Sequence, residues 1–181
     1  MWKLKKPKPV KLIVAILAAD YHCLNIALEA IEGRFGKADF VSNVWAFDQT
    51  DYYKEQTGDD ILRQFVSVEK LIDPGRLARI KLTTNRMERK LAAELGGYMP
   101  RPVNLDPGII EPSKLILATT KNYSHRIYIG KKIYAEVTLF FDKGTWRCFQ
   151  YTYPDYKQQC YFDFFEKVRT KLITQLKRSS H

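Results

Sequence analysis

The chain has 181 residues, of which 45% are apolar and 28% charged, with 30 Lys and Arg against 20 Asp and Glu for a formal charge of +10. Together with only 9 Gly, 8 Pro and 3 Cys, these proportions exclude a coiled coil, a disulfide scaffold, a collagenous chain and a mainly disordered one. The charge is concentrated at the ends: residues 1–11 carry +5, residues 157–181 carry +4, and everything between carries +1.

In chain order, residues 1–8 are expected to form a flexible basic arm. The lysines up to Lys11 followed by apolar Leu12–Ala19 resemble a signal peptide only superficially. Pro7 and Pro9 interrupt the approach, and the apolar run is far shorter than the roughly 20 residues needed to cross a bilayer. The expectation is a cytoplasmic protein with no membrane association. Val10–Ala19 is apolar on both alternations, which predicts a strand buried on both faces. Asp20 is placed to cap a helix with Leu24, Leu28, Ile31 and Phe35 on its apolar face and Gly36 as its stop. Phe40–Phe47 reads as a strand, Asp48–Asp60 as a polar link and Leu62–Leu71 as another strand. Asp73-Pro74-Gly75 opens a long helix. Leu77, Ile80, Thr84, Met87, Leu91 and Leu95 share one face of it, Arg79, Arg86 and Lys90 lie opposite, and Gly96-Gly97 ends it. With Val103–Leu105 as a closing strand, the order is βαββαβ, that of the ferredoxin-like split fold.

The second half differs. Ser113–Thr120 fits either a strand or a short helix. Arg126–Gly130 and Ile133–Phe141 read as strands, Asp142-Lys143-Gly144 as a hairpin loop and Trp146–Tyr153 as the returning strand. Tyr161, Phe165, Val168, Leu172 and Leu176 mark a closing amphipathic helix. The whole is expected to be one α+β domain, ferredoxin-like over 9–110, then an antiparallel β-hairpin and a C-terminal amphipathic helix over 111–178.

Cys23, Cys148 and Cys160 show no CxxC spacing, and His22, His125 and His181 form no HxxxH pair, so neither a disulfide framework nor a cysteine zinc site is expected. Phosphate loop, dinucleotide fingerprint, nucleophile elbow, zinc-protease and RRM motifs are all absent from the sequence. The densest polar stretch, Thr119–Arg126, sets Lys121, Asn122, His125 and Arg126 close together. Such a set suits a phosphate or carboxylate, with His125 available for proton transfer near neutral pH.

In Ile133–Phe141 a period of two places Ile133, Ala135, Val137, Leu139 and Phe141 on one face and Tyr134, Glu136, Thr138 and Phe140 on the other. Glu136 is then either a residue of a wet sheet face or a general base or metal ligand on a rigid element. Residues 103–108, VNLDPG, read as a strand end delivering Asp106, with Asn104 on the same face, into a Pro-Gly turn. Asp106 and Glu136 together would hold a divalent cation such as Mg²⁺ or move protons. Thr83-Thr84-Asn85 are weak helix formers inside the Arg-rich helix, which adds Thr84 and Asn85 to the ligand-binding set.

Taken together, PVKLIVAILAAD, the stretch Phe47–Tyr53, IKLTTNRMERKLA, VNLDPG, LATTKNYSHRIYIG, IYAEVTLFF and TYPDY resemble one prokaryotic family, the domain of unknown function 4416 family, from about Pro9 to Leu172. That family is defined by sequence rather than by an activity. Some members carry the label GTP-binding protein, and VNLDPG is similar to a segment of certain GTPases. This chain, however, has neither the phosphate loop nor the guanine-reading NKxD, so the resemblance implies no GTP site of that kind. Its blocks coincide with the polar clusters Asp48/Asp51, Thr83–Asn85, Asn104/Asp106, Lys121–Arg126, Glu136 and Asp155, as a shared site would.

The leading expectation is a pocket for a small anionic, phosphorylated or nucleotide-like ligand, held by Lys121, Asn122, Arg126, Thr84, Asn85 and Asn104. Were it catalytic, His125, Glu136 and Asp106 would act, and phosphoryl or phosphodiester hydrolysis is the reaction class. One alternative is a nucleic-acid-binding module, which needs Lys3–Lys11, the +5 run of residues 76–90 and the C-terminal helix to converge on one surface. Another is a partner-binding or assembly protein using the aromatic-rich segment 146–165.

Overall fold

Strand β1 (Lys11–Ala18) is buried along its whole length, as a run that is apolar on both alternations requires. The structure, a computed structural model, describes residues 2–47, 57, 60–96 and 99–178; Asp48, Asp51 and most of the polar link lie outside them. After β1 come α1 (Tyr21–Phe35), β2 (Ala38–Val41), β3 (Trp45–Ala46), β4 (Leu62–Val68), a 3₁₀ turn at Pro74–Arg76 and α2 (Leu77–Glu94). The second half adds β5 (Val103–Glu111), β6 (Lys114–Thr119), β7 (Ile127–Gly130), β8 (Ile133–Asp142), β9 (Thr145–Cys148), a 3₁₀ turn at Pro154–Lys157 and α3 (Gln159–Arg178). The caps follow the sequence: the Asp20 carboxylate accepts from Cys23 N–H at 2.7 Å, and Gly36 ends α1 at φ 107°, a conformation that favours glycine.

All strand pairs are antiparallel, in the order β2-β4-β1-β5-β6-β8-β7, with β3 added to β4 and β9 to β8. The first four of these strands, joined through α1 and α2, have the ferredoxin-like arrangement, and the later strands extend the same α+β sheet. Leu12, Val14, Ile16 and Ala18 pack with residues of α1 and α2, whereas Ile13 and Ala15 pack with α3. Helices α2 and α3 thus cover opposite faces, and the basic run 76–90 does not share a surface with the basic C-terminal helix. The aromatics of 146–165 are largely interior: Trp146, Tyr156, Tyr161, Phe164 and Phe165 form the α3-side core around Phe65.

Several elements differ from the sequence pattern. The strand expected over Phe40–Phe47 breaks after Val41. There Ser42 N–H donates to Phe65 O, and Ser42 Oγ accepts from Phe65 N–H, both at 2.9 Å. The ambiguous segment 113–120 holds the strand Lys114–Thr119. The returning strand ends at Cys148, because Thr152 Oγ1 accepts from Phe149 N–H (2.8 Å) and donates to Thr138 O (2.7 Å), folding the segment over β8. Alternation in β8 fails at a register shift between the pairs Leu115↔Leu139 and Ile116↔Val137. An extra residue in one strand reverses the faces beyond it, so Ile133 and Ala135 join the core under α1 and α2 while Leu139 joins the other.

The expected Pro-Gly turn is also absent; β5 runs through it to Glu111. Strand β5 pairs with β1 over residues 103–110 but with β6 only over 108–111. Leu105 turns both backbone groups away from β1 and onto α2: its N–H donates to Glu88 (2.8 Å) and its C=O accepts from Lys81 Nζ (3.0 Å). Pro107, two residues on, faces the same way with no N–H to offer, so the ladder to β6 stops there. Gly108 brings the strands close at the last pair, since a Cβ there would lie 2.7 Å from Ile116 O. Beyond that point β6 continues with β8 through Ala118 and Thr119. The sheet therefore forks.

Candidate functional site

A cavity of about 650 Å³ opens in this fork. One prong contributes Asn104 and Asp106; the other contributes Leu117–Lys121 and Glu136. Helix α2 supplies Lys81, Asn85, Glu88 and Arg89, and Arg63, Arg101, Phe47 and the segment Tyr153–Tyr156 complete the wall among the described residues.

Three clusters of charge line it. In the first, Lys81 Nζ bonds the Asp106 carboxylate at 2.8 Å, Asn104 Nδ2 donates to Asp106 at 2.6 Å, and Arg101 pairs with Glu88 at 2.6 Å while also donating to Asn104 Oδ1. Burial acts to raise the Asp106 pKa, but Lys81, Asn104 and Arg63 outweigh it and hold the carboxyl below its ordinary range. At Glu88 burial wins over Lys81 and Arg101 and pushes the pKa up.

The second cluster surrounds Glu136, which is 3% exposed rather than on a wet face. Arg126 Nε donates to its Oε2 at 2.8 Å, His125 Nε2 lies 3.2 Å from the same oxygen, and Thr138 Oγ1 donates to Oε1 at 3.2 Å. Arg126 also donates to Lys121 O (3.1 Å) and to the Tyr153 hydroxyl. His125 is fixed by stacking on Tyr151, ring centroids 4.2 Å apart. Burial, and then the Glu136 charge, raise the pKa values of Tyr151 and Tyr153.

The third cluster is Arg63, whose Nη2 donates to Asp155 Oδ2 at 2.9 Å. Its guanidinium lies 4.8 Å from the Phe47 ring centroid and within 6 Å of those of Phe65 and Tyr156, a cation–π setting. Burial raises the Asp155 pKa against the pull of Arg63.

Of the residues expected from sequence, Lys121, Asn85, Asn104, Asp106 and Glu136 line the cavity. His125 and Arg126 stand behind Glu136 and position it. His125 and Glu136 meet; Asp106 belongs to the other prong, with Lys81. Each carboxylate of the expected cation pair is matched by a cation of the chain, and no group of three or more His, Cys, Asp or Glu among the described residues is arranged to hold a metal. Thr84 turns into the core and donates to Lys81 O at 3.0 Å, because its place on α2 is the buried stripe. Asn122 lies in an exposed loop and is not among the residues on the wall.

Sequence reasoning passed over Arg63, Lys81, Glu88, Arg101, Tyr153 and Tyr156. A signal for two of them existed: Lys81 and Glu88 fall on the stripe Leu77, Lys81, Thr84, Glu88, Leu91, all buried, where a charged residue needs a partner.

No described helix is long and apolar enough to cross a membrane. No curated protein and no solved structure shows significant similarity to the chain. A family model described as a domain of unknown function (DUF4416) matches residues 8–172, the span that the sequence blocks and both prongs of the fork occupy, and the chain belongs to that family.

Proposed function

We propose that the protein binds a small anionic, phosphorylated or nucleotide-like ligand in the fork of the sheet. The observation that carries this reading is the charge of the wall. Among the described residues, five cations (Arg63, Lys81, Arg89, Arg101, Lys121) face four carboxylates (Glu88, Asp106, Glu136, Asp155), and every one of those carboxylates is ion-paired, Glu136 with Arg126 behind it. Arg126 included, six described cations stand against four described acids, which favours an anion over a cation or a neutral ligand. Side-chain amides and hydroxyls of Asn85, Thr119 and Thr120 add polar partners, and Phe47, Leu117 and Ala118 add apolar surface, the mixture usual in small-molecule sites. A reducing, cytoplasmic setting fits both this ligand class and the three cysteine thiols.

The test is calorimetric titration of the protein with inorganic phosphate, pyrophosphate and nucleotides, with and without Mg²⁺, for the wild type, Arg89→Ala and Lys121→Ala. A charged hydrogen bond lost at the mouth weakens binding by about tenfold or more, and affinity falls as salt is added. Equal affinities in all three proteins, or none for any of these anions, would overturn the reading.

A further inference from the structure

The floor of the cavity differs from its mouth. Arg89 and Lys121 are exposed, whereas Arg63 and Tyr156 are 4% and 3% exposed. Arg63 Nη2 donates to Asp155 and the guanidinium also faces the Tyr161 hydroxyl, yet its Nε and Nη1 are buried without an acceptor in hydrogen-bond geometry, and the Tyr156 hydroxyl is buried with no partner. Buried polar groups are nearly always satisfied, so two such side chains on one cavity wall mark a place where something else supplies the partners.

The charge of Arg63 is already matched by Asp155, so a second anion there has no countercharge to meet. What the floor's unpartnered groups call for is an uncharged oxygen. The floor offers donors on Arg63, an acceptor carboxylate on Asp155, and on Tyr156 a hydroxyl that does both. A carbonyl only accepts, but a hydroxyl donates once and accepts twice and so answers the whole set. The faces of Phe47 and Tyr156 provide apolar surface for the carbon frame that carries such hydroxyls.

Building on the anion reading, we infer that the ligand is a phosphate monoester of a polyol or sugar, with its phosphate toward Arg89 and Lys121 and its hydroxyls against Arg63, Asp155 and Tyr156. The unpartnered hydroxyl also sets up a trade. Without ligand, Tyr156→Phe removes a buried group that bonds nothing and leaves the ring packing in place, so it raises the thermal midpoint. With ligand, it removes a contact that only the hydroxyl-bearing part makes.

The experiment titrates the full chain with inorganic phosphate and with glycerol 3-phosphate, ribose 5-phosphate and glucose 6-phosphate, and melts it unliganded. At least one ester binds the wild type roughly tenfold tighter than phosphate. Tyr156→Phe cuts that ratio about fivefold, leaves phosphate affinity unchanged and melts higher. Arg63→Lys, which keeps the charge beside Asp155 but loses the planar fork, cuts the ratio as well. Esters binding no tighter than phosphate would overturn the inference, as would a ratio unmoved in both variants or a lower unliganded melting point for Tyr156→Phe. Phosphate binding intact in those cases leaves the anion reading standing; no binding of phosphate or of any ester overturns the inference, and the anion reading falls with it where pyrophosphate and nucleotides also fail to bind.

Discussion

Asp106 keeps its carboxyl below the ordinary range although burial acts to raise it. Lys81, Asn104 and Arg63 hold its pKa below the ordinary aspartate value of 3.8. The native state therefore binds the proton less tightly than the unfolded chain does. The resulting stability is fully present above the unfolded value and is lost as pH falls through it toward the lower native one. Urea denaturation of wild type and Asp106→Asn from pH 7 to pH 3 is expected to show a stability gap that is widest at pH 7 and narrows below about pH 4. A gap independent of pH would show that Lys81 gives Asp106 nothing. Glu88 and Asp155 run the other way, since burial raises both and their cost appears as pH rises through the carboxyl range. At this scale the sequence was partly legible. Asn104, Asp106, Lys121 and Glu136 stand out as polar residues on or beside strands. Arg63 does not, because its neighbours Phe65, Val66 and Val68 read as a core strand and its acid, Asp155, is 92 positions away.

Among the elements, those governed by local rules were readable. Two-faced burial of β1, the Asp20 cap, the Gly36 stop, the Pro74 entry to α2 and the buried stripe of α3 all follow from nearest neighbours along the chain. Pro107-Gly108 was not, since the pair is the strongest short-range turn signal yet serves a long-range purpose here. Proline withholds an N–H and ends one ladder; glycine, one residue later, lets the strands meet. Gly108→Ala should lower stability by about 1–3 kcal/mol, the usual cost of overpacking, because the added carbon would lie 2.7 Å from both Ile116 O and Leu117 Cδ2. Urea midpoints measure this, and an unchanged midpoint would mean that β5 and β6 are not in close approach. The bulge in β8 escaped for a related reason. Period-two patterning assumes an unbroken strand, and nothing local to Val137-Thr138 announces the extra residue.

For the molecule as a whole, the βαββαβ order of the first half was legible from alternation and capping, and the strand order agrees with it. That the second half extends the same sheet was not, because it depends on which edges pair. The charge of +10 also changes meaning at this scale. Its C-terminal share lies on α3, across the sheet from the basic helix α2, and the cavity itself gathers only a small excess of cations. The fork has a mechanical consequence as well. Its prongs are held by separate ladders, 103–107 to β1 and 118–119 to β8, and a molecule seated between them braces one half of the sheet against the other. Amide hydrogen exchange should therefore slow on ligand binding along Val103–Asp106 and Ala118–Thr119 together, though no backbone bond joins them, while β2 and β7 at the two margins keep their rates.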